Sequence, residues 1–269
     1  MAGQRLLGPA LGDLLARRDS LAAVAAATPG IENIRAAALT IIANAVTVVQ
    51  ATMTAVAGYA GPAQTALCQA RDQLAGGAPV DEVMPLVKAV ETGTAQLADV
   101  AVFQGNQAAA LPPAAADLVA AAGREDARLV VAAHAAADEL DAAAARERAS
   151  QQKCEYLLSL GVFGMAALAV EKILLGTLEA ATQACAGTAG TVRTELVACG
   201  LARQSLEQMA DSVRPVVTSL SGIRNSVNLI GDEIIVIDEN VSGQDARAVL
   251  ALKVNAAIAE VEALAAAAS

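Results

Sequence analysis

The chain has 269 residues, of which 55% are hydrophobic and 1% aromatic, and its formal net charge is −10 at pH 7. An acidic balance without clustered Lys or Arg argues against nucleic acid as a partner, because phosphate binding needs concentrated positive charge. Much of the apolar fraction is Ala, which has the highest helix propensity and lets helices pack closely. The composition therefore predicts an all-α protein built from slender helices.

The first residues predict a short amphipathic helix over residues 6–27, which ends before Pro29 and Gly30. They do not predict a signal peptide. Charged residues such as Asp13 and Arg17 interrupt every apolar stretch of the length that a signal peptide needs.

Residues 36–70 contain no charged side chain. Apolar residues alternate at spacings of three and four, which predicts a helix with a heptad seam, and a polar stripe runs beside it. Two interpretations stay open: a helix buried on all sides, or a membrane or pore helix whose polar stripe lines water. Residues 36–61 would span about 39 Å as a helix, enough to cross a bilayer. The candidate residues are Leu39, Thr40, Ile42, Asn44, Val46, Thr47, Val49, Met53, Thr54 and Val56.

Glycine and proline residues divide the sequence after residue 60 into separate helices. Gly61 and Pro62 predict a bend or an end of the uncharged helix, and residues 76–79 predict a turn. The next helix is predicted over residues 80–111, with an interruption or kink at Pro112 and Pro113. Residues 114–153 are rich in Ala, Asp, Glu and Arg. They predict a helix with a solvated face.

The residue types that usually carry catalysis or bind metals are sparse. His134 is the single histidine, and Cys68, Cys154, Cys185 and Cys199 form no C-x-x-C pair, so no zinc ligand set is present. No nucleophile elbow, phosphate loop or histidine-carboxylate pair is recognisable. We therefore expect neither an enzyme nor a cofactor or metal site.

The chain is organised around residues 156–170, which carry no charge and are flanked by charged, helix-prone sequence. As a helix this run would be about 22 Å long, short of the roughly 30 Å of bilayer hydrocarbon. It is either a buried connection between long helices or an apolar tongue at one end of a helical rod. As a tongue, we expect it to fold against the rod near residues 36–61 before it meets lipid. Its candidate membrane-interacting residues are Tyr156, Leu157, Leu158, Leu160, Val162, Phe163, Met165, Leu168 and Val170.

The strongest periodicity follows this run. Six heptads predict a helix about 65 Å long, with a kink or local break at Pro215. Residues 240–243 should end it, residues 242–245 form a capping box, and a last helix should return antiparallel. The seam of the long helix consists of Cys199, Ala202, Leu206, Met209, Val213, Val216, Leu220, Ile223, Val227, Ile230, Ile234, Ile237 and Val241. The seam of the last helix consists of Leu250, Val254, Ala257, Val261 and Leu264.

The order of these elements resembles that of the helical pore-forming toxins, namely the haemolysin BL and non-haemolytic enterotoxin components and cytolysin A. The resemblance is carried by residues 156–170 and 213–232, the turn at 240–243 and the final helix. It implies an elongated all-α bundle in which residues 1–155 and 171–269 form the rod and residues 156–170 form the inserted tongue. It also implies a secreted protein that is soluble first and then membrane-associated. Its partners would be membrane lipid and further copies or related components, in a homo-oligomer or hetero-oligomer.

A second interpretation is a non-catalytic coiled-coil structural or adaptor subunit of a protein assembly. In such a protein the apolar run would be a buried hairpin, and the heptads would make partner contacts. Burial of residues 156–170 on both faces would favour the adaptor.

Overall fold

The computed structural model describes residues 7–24, 28–160, 165–239 and 246–269, without the side chains of residues 166, 235–239 and 246. All regular secondary structure in these residues is helical, which confirms the predicted all-α class. The helices are α1 (Leu7–Ala23), α2 (Pro29–Ala75), α3 (Val80–Ala109), α4 (Leu111–Ser159), α5 (Met165–Glu239) and α6 (Ala246–Ala268).

The predicted breaks are only partly observed. The turn before α3 is present: Gly77 has φ +96°, which favours glycine, and the Ala78 N–H donates to the Gln73 carbonyl at 2.9 Å. α3 and α4 are separated at Ala110, close to the predicted interruption. α2 continues through Pro62 and α5 through Pro215, so neither helix ends there, and the predicted bend or kink at these prolines stays a prediction. A proline inside a helix costs about 3 kcal/mol, which the packing of these long helices offsets.

The described residues form two compact units. The first contains Met1–Ala22, Ala37–Leu118 and Ser205–Ser269, and the second contains Ala23–Ala36 and Val119–Gln204. The division into a rod and a tongue that the sequence predicts remains a prediction, because these units follow different boundaries.

The heptad seams of α5, from Leu206 onward, and of α6 are buried in the core of the first unit. Every described seam residue of α5 from Leu206 onward is at most 3% exposed, and the α6 seam is equally buried. Ile237 and Val241 lie outside the described side chains. α1 adds leucines spaced by seven residues, Leu7, Leu14 and Leu21, each at most 1% exposed.

α6 packs back onto the other helices of the first unit. The Lys253 ammonium lies 2.5 Å from a carboxylate oxygen of Glu233 on α5, and Arg247 Nε donates to the Leu74 carbonyl on α2 at 3.1 Å. These contacts confirm the antiparallel return of the last helix. The predicted turn at residues 240–243 and the capping box at 242–245 lie outside the described residues.

The second unit is a hairpin of α4 and the first part of α5, joined by the junction between α1 and α2. Ile31 of this junction packs with Leu129, Cys199 and Ala202. The Ile31 N–H donates to Thr28 Oγ1 at 3.2 Å, which caps α2. Because few elements contribute to this unit, its core is thin.

Candidate functional site

The apolar run is built from the end of α4 and the beginning of α5. The Leu160 N–H donates to the Leu157 carbonyl at 3.3 Å, and Ser159 Oγ donates to the Tyr156 carbonyl at 2.6 Å, so the last turn of α4 is closed locally. α5 begins at Met165. The candidate residues Val162 and Phe163 lie outside the described residues.

Most described candidate residues of this run face solvent. Tyr156 is 64% exposed and Val170 is 68% exposed. No residue of their own unit covers these side chains, and the expectation that the run folds against residues 36–61 stays a prediction. The remaining exposed members are Leu158, Leu160 and Met165.

Some residues in the run and just before it are buried. Leu168 is 5% exposed, and Cys154 on α4 is 7% exposed. Leu157 is half-buried. The apolar run therefore has one packed side and one open side, which is not the burial on both faces that the adaptor interpretation requires.

A polar cluster joins the two helices just below the apolar run. The Glu171 carboxylate accepts hydrogen bonds from the Lys153 ammonium and from Ser150 Oγ, both at 2.8 Å. The side chain of Glu171 is 7% exposed, whereas that of Lys153 is 62% exposed. The Lys153 and Ser150 hydrogen bonds hold the pKa of Glu171 below its ordinary value. This cluster joins α4 to α5 next to the apolar run.

Exposed apolar side chains also follow the predicted run on α5. Ile173 is 73% exposed and Leu174 is 46% exposed, so the exposed apolar surface continues past Glu171. The charge of Glu171 suggested the end of the run, but this carboxylate turns inward onto α4 while its neighbours face solvent. We use the term hairpin tip for the exposed residues Tyr156, Leu158, Leu160, Met165, Val170, Ile173 and Leu174.

The surroundings of the hairpin tip have no net charge, although the chain as a whole is strongly acidic. Between residues 142 and 180, four cationic residues balance four acidic ones. The cations are Arg146, Arg148, Lys153 and Lys172, and the acids are Glu147, Glu155, Glu171 and Glu179. This end of the hairpin therefore presents apolar side chains without the acidity that repels anionic surfaces.

The part of α2 without charged side chains, residues 36–70, has two different faces. The polar residues Thr40, Asn44, Thr47 and Thr54 are exposed, and Ile42, Val49 and Val56 are buried. Leu39, Val46 and Met53 are half-buried. Thr47 Oγ1 donates to the Ala43 carbonyl at 2.9 Å, so this hydroxyl has a partner within its own helix. α2 is thus not enclosed on all sides, contrary to one of the two interpretations.

By length and composition, α2 is the one described helix that could cross a membrane. Of the residues in the most apolar part of α2, 33% are buried within the protein. A core helix of a soluble protein can have the same length and composition, so this property is weak evidence for insertion. The open face of α2 is polar, whereas the hairpin tip is apolar, and this contrast makes the hairpin tip the better candidate for lipid contact.

The described part of the chain contains no group of three His, Cys, Asp or Glu side chains that could hold a metal ion. The four cysteines are free thiols, and burial raises the pKa of Cys199. His134 is exposed on α4.

No family model and no curated protein matches this sequence, but solved structures do. Soluble AhlC of the tripartite α-pore-forming toxin AHL from Aeromonas hydrophila is 17% identical, with 98% of each chain covered and a TM-score of 0.74. Its triple head mutant is 18% identical, with 98% of each chain covered and a TM-score of 0.78. The SmhB pore of the tripartite toxin Smh from Serratia marcescens is 10% identical, covers 95% of this chain and 98% of its own, and has a TM-score of 0.51.

At these identities the comparisons establish the fold. The chain has the fold of the helical components of tripartite α-pore-forming toxins, so the predicted resemblance to helical pore-forming toxins is confirmed at this level. The similarity to the soluble component extends over almost the whole length of both chains.

Proposed function

We propose that this chain is a component of a helical pore-forming toxin, which is soluble first and then binds a membrane through its hairpin tip. The observation that carries the proposal is the row of exposed apolar side chains at the end of the α4–α5 hairpin, in a chain with the fold of such components. No catalytic step is required, and we propose a non-enzymatic protein without a cofactor.

The driving force is removal of apolar surface from water. Transfer of a fully exposed Leu, Ile or Val into an apolar medium is worth about 1.5–3 kcal/mol. The hairpin tip offers several such residues, so its transfer supplies on the order of 10 kcal/mol before the entropic costs of binding. This gain is available only if lipid or another protein covers the tip.

The same surface supports the proposal that the protein assembles with other chains. Large exposed apolar patches promote association in water. We propose that further copies or related components cover the tip or complete the pore, in a homo-oligomer or hetero-oligomer at the membrane. We also propose that the protein is secreted, since its target is the surface of another membrane.

The adaptor interpretation has less support. A buried hairpin would place Tyr156, Val170 and Ile173 against neighbouring helices, whereas each of them is more than 60% exposed. The proposal therefore rests on residues that contribute little to folding of the single chain.

A charge placed on the hairpin tip tests the proposal. We expect Val170→Asp to reduce partitioning into liposomes by about tenfold to a hundredfold, because an Asp costs about 2.5–3.5 kcal/mol at the bilayer centre and less toward the interface. The measurement is co-sedimentation with liposomes, together with dye leakage in the presence of the partner components. Since Val170 is 68% exposed, the melting temperature should change little.

Val131→Asp is the matched control. Val131 is a valine of the same hairpin with 69% exposure, but it lies on α4 far from the tip. We expect this variant to bind liposomes like the parent protein. Equal losses in both variants would contradict a specific role of the tip, and a parent protein that never binds lipid, alone or with partner components, would overturn the proposed function.

A further inference from the structure

Within the second unit, α5 carries a row of exposed residues on the side that faces away from α4. The side of α5 that contacts α4 is marked by Glu171, which accepts a hydrogen bond from Ser150, and by Cys199, whose thiol donates to the Ala122 carbonyl at 3.9 Å. On the far side, residues at alternating spacings of three and four are all exposed. We use the term outer seam for these residues, which are Ile173, Gly176, Ala180, Gln183, Gly187, Gly190, Thr194 and Val197.

The outer seam has apolar ends and a narrow, uncharged middle. Ile173 is 73% exposed, Val197 is 60% exposed, and none of the eight residues is charged. Cβ atoms at Gly176, Gly187 and Gly190 would meet no atom within 4 Å. Because glycine and alanine allow two helix backbones to approach closely, this surface suits a second helix. Residues 173–197 give it a length of about 36 Å.

The outer seam matches itself when one copy is read in the opposite direction. An antiparallel pair of α5 helices can place Ile173 against Val197 of a second copy. The same alignment places Ala180 against Gly190 of the second copy. A two-fold axis repeats each of these contacts, because both copies present the same surface. Apolar ends therefore meet apolar ends, and small residues meet near the centre.

The charges beside the outer seam fit the same alignment. Glu179 and Arg193 are exposed and flank the outer seam on one side. The alignment places Glu179 opposite Arg193 of the second copy, and the two-fold axis repeats this ion pair. Lys172, the remaining charged residue of this flank, falls opposite Gly200 of the second copy. No like charges meet along this flank.

We propose that the outer seam binds a second copy of this chain in an antiparallel pair with two-fold symmetry. One alignment satisfies both the apolar ends and the flanking charges, and this self-complementarity selects a second copy over an unrelated protein. The pair forms in water and needs no lipid. It can therefore be tested without any assumption about membrane binding.

Sedimentation equilibrium of the full-length protein without lipid tests the proposal. We expect reversible dimers with a dissociation constant of about 1–100 µM, because the interface is a single narrow helix face. Glu179→Arg should weaken dimerisation at least about tenfold, since it places two arginines together at both symmetric positions. Arg193→Glu should have the same effect. The double variant that combines both changes should dimerise within about threefold of the parent protein, because the ion pairs form again with reversed polarity.

Glu139→Arg is the matched control for the charge reversals. It changes the net charge by the same amount at an exposed position of α4, away from the outer seam. This variant should dimerise like the parent protein. Gly187→Leu tests the close approach of the two helices and should weaken dimerisation at least about tenfold. The open space at this Cβ leaves the fold of the single chain intact.

Four results would overturn the proposal. They are a parent protein that stays monomeric up to about 1 mM, a double charge variant that dimerises no better than the single ones, equal losses in Glu139→Arg and Glu179→Arg, and a Gly187→Leu variant that dimerises like the parent. The charge variants also separate this pair from association through the hairpin tip, which does not depend on Glu179 or Arg193.

Discussion

Similar apolar residues are buried in one half of α5 and exposed in the other. From Leu206 to Ile234 the residues of the heptad seam are at most 3% exposed, and they form the core of the first unit. In the other half, Val170, Ile173 and Val197 are at least 60% exposed. One continuous helix thus passes from a packed environment to an open one.

The buried apolar residues of α5 stabilise the fold, and the exposed ones are available for binding. A buried isoleucine gains transfer free energy when the chain folds, whereas an exposed one is solvated before and after folding. The exposed residues of α5 therefore add little to stability. Their apolar surface can lower the free energy only when another surface covers it.

Truncation of one isoleucine in each half should show the contrast most strongly. Ile223 is 1% exposed and Ile173 is 73% exposed. We expect Ile223→Ala to cost about 2–5 kcal/mol and lower the melting temperature by roughly 5–15 °C. Ile173→Ala should change the stability by less than about 0.5 kcal/mol. Thermal unfolding followed by circular dichroism provides the measurement, and equal effects would show that the two halves do not differ in packing.

The same two variants should rank in the opposite order in lipid binding. Ile173→Ala removes apolar surface from the hairpin tip and should weaken liposome partitioning by about tenfold. Ile223→Ala should leave partitioning within about twofold of the parent protein at a temperature where it is folded. Sedimentation with liposomes measures both values. A larger loss for Ile223→Ala would indicate that membrane binding depends on the core of the first unit.

The Glu171 clamp next to the apolar run should make the stability of the hairpin depend on pH. The folded-state pKa of Glu171 is lowered by Lys153 and Ser150, so the stabilisation is complete above the ordinary pKa near 4.5 and is lost as pH falls through the folded value. We expect Glu171→Gln to speed hydrogen exchange of nearby amides at pH 7, with the difference from the parent shrinking as pH falls below 4.5 and disappearing below the lowered folded-state pKa.

Glu179→Gln is the control for the clamp, because it removes the same charge from an exposed position on the same helix. Its exchange should match that of the parent protein at every pH. A difference between Glu171→Gln and the parent that persists unchanged at low pH would show that the clamp acts through packing and not through its charge.

Lipid charge should have the smallest effect. The residues around the hairpin tip have no net charge, so they offer no cationic cluster that would attract anionic lipid. We expect partitioning to change by less than about threefold when anionic lipid is raised from none to about one third. A strong increase that is reversed by salt would indicate that a basic surface, and not the apolar tip, drives binding.

The sequence alone determined the fold class and the packed half of α5. Alternating spacings of three and four from Cys199 onward specify one apolar stripe on a helix, and every described residue of this stripe is buried. The turn at residues 76–79 was also predictable, because glycine at Gly77 permits a positive φ. Both features follow from local geometry that neighbouring residues impose on one another.

Tertiary structure alone decided which apolar residues lack a partner and which charged residue is buried. Ile173 and Glu171 are close in sequence, yet the isoleucine is exposed and the carboxylate is clamped to α4. The same holds for α2 and α5, which pass through Pro62 and Pro215 because packing against other helices offsets the lost hydrogen bonds. Burial depends on which helices face a residue across space, and the spacing of residues along one helix does not contain that information.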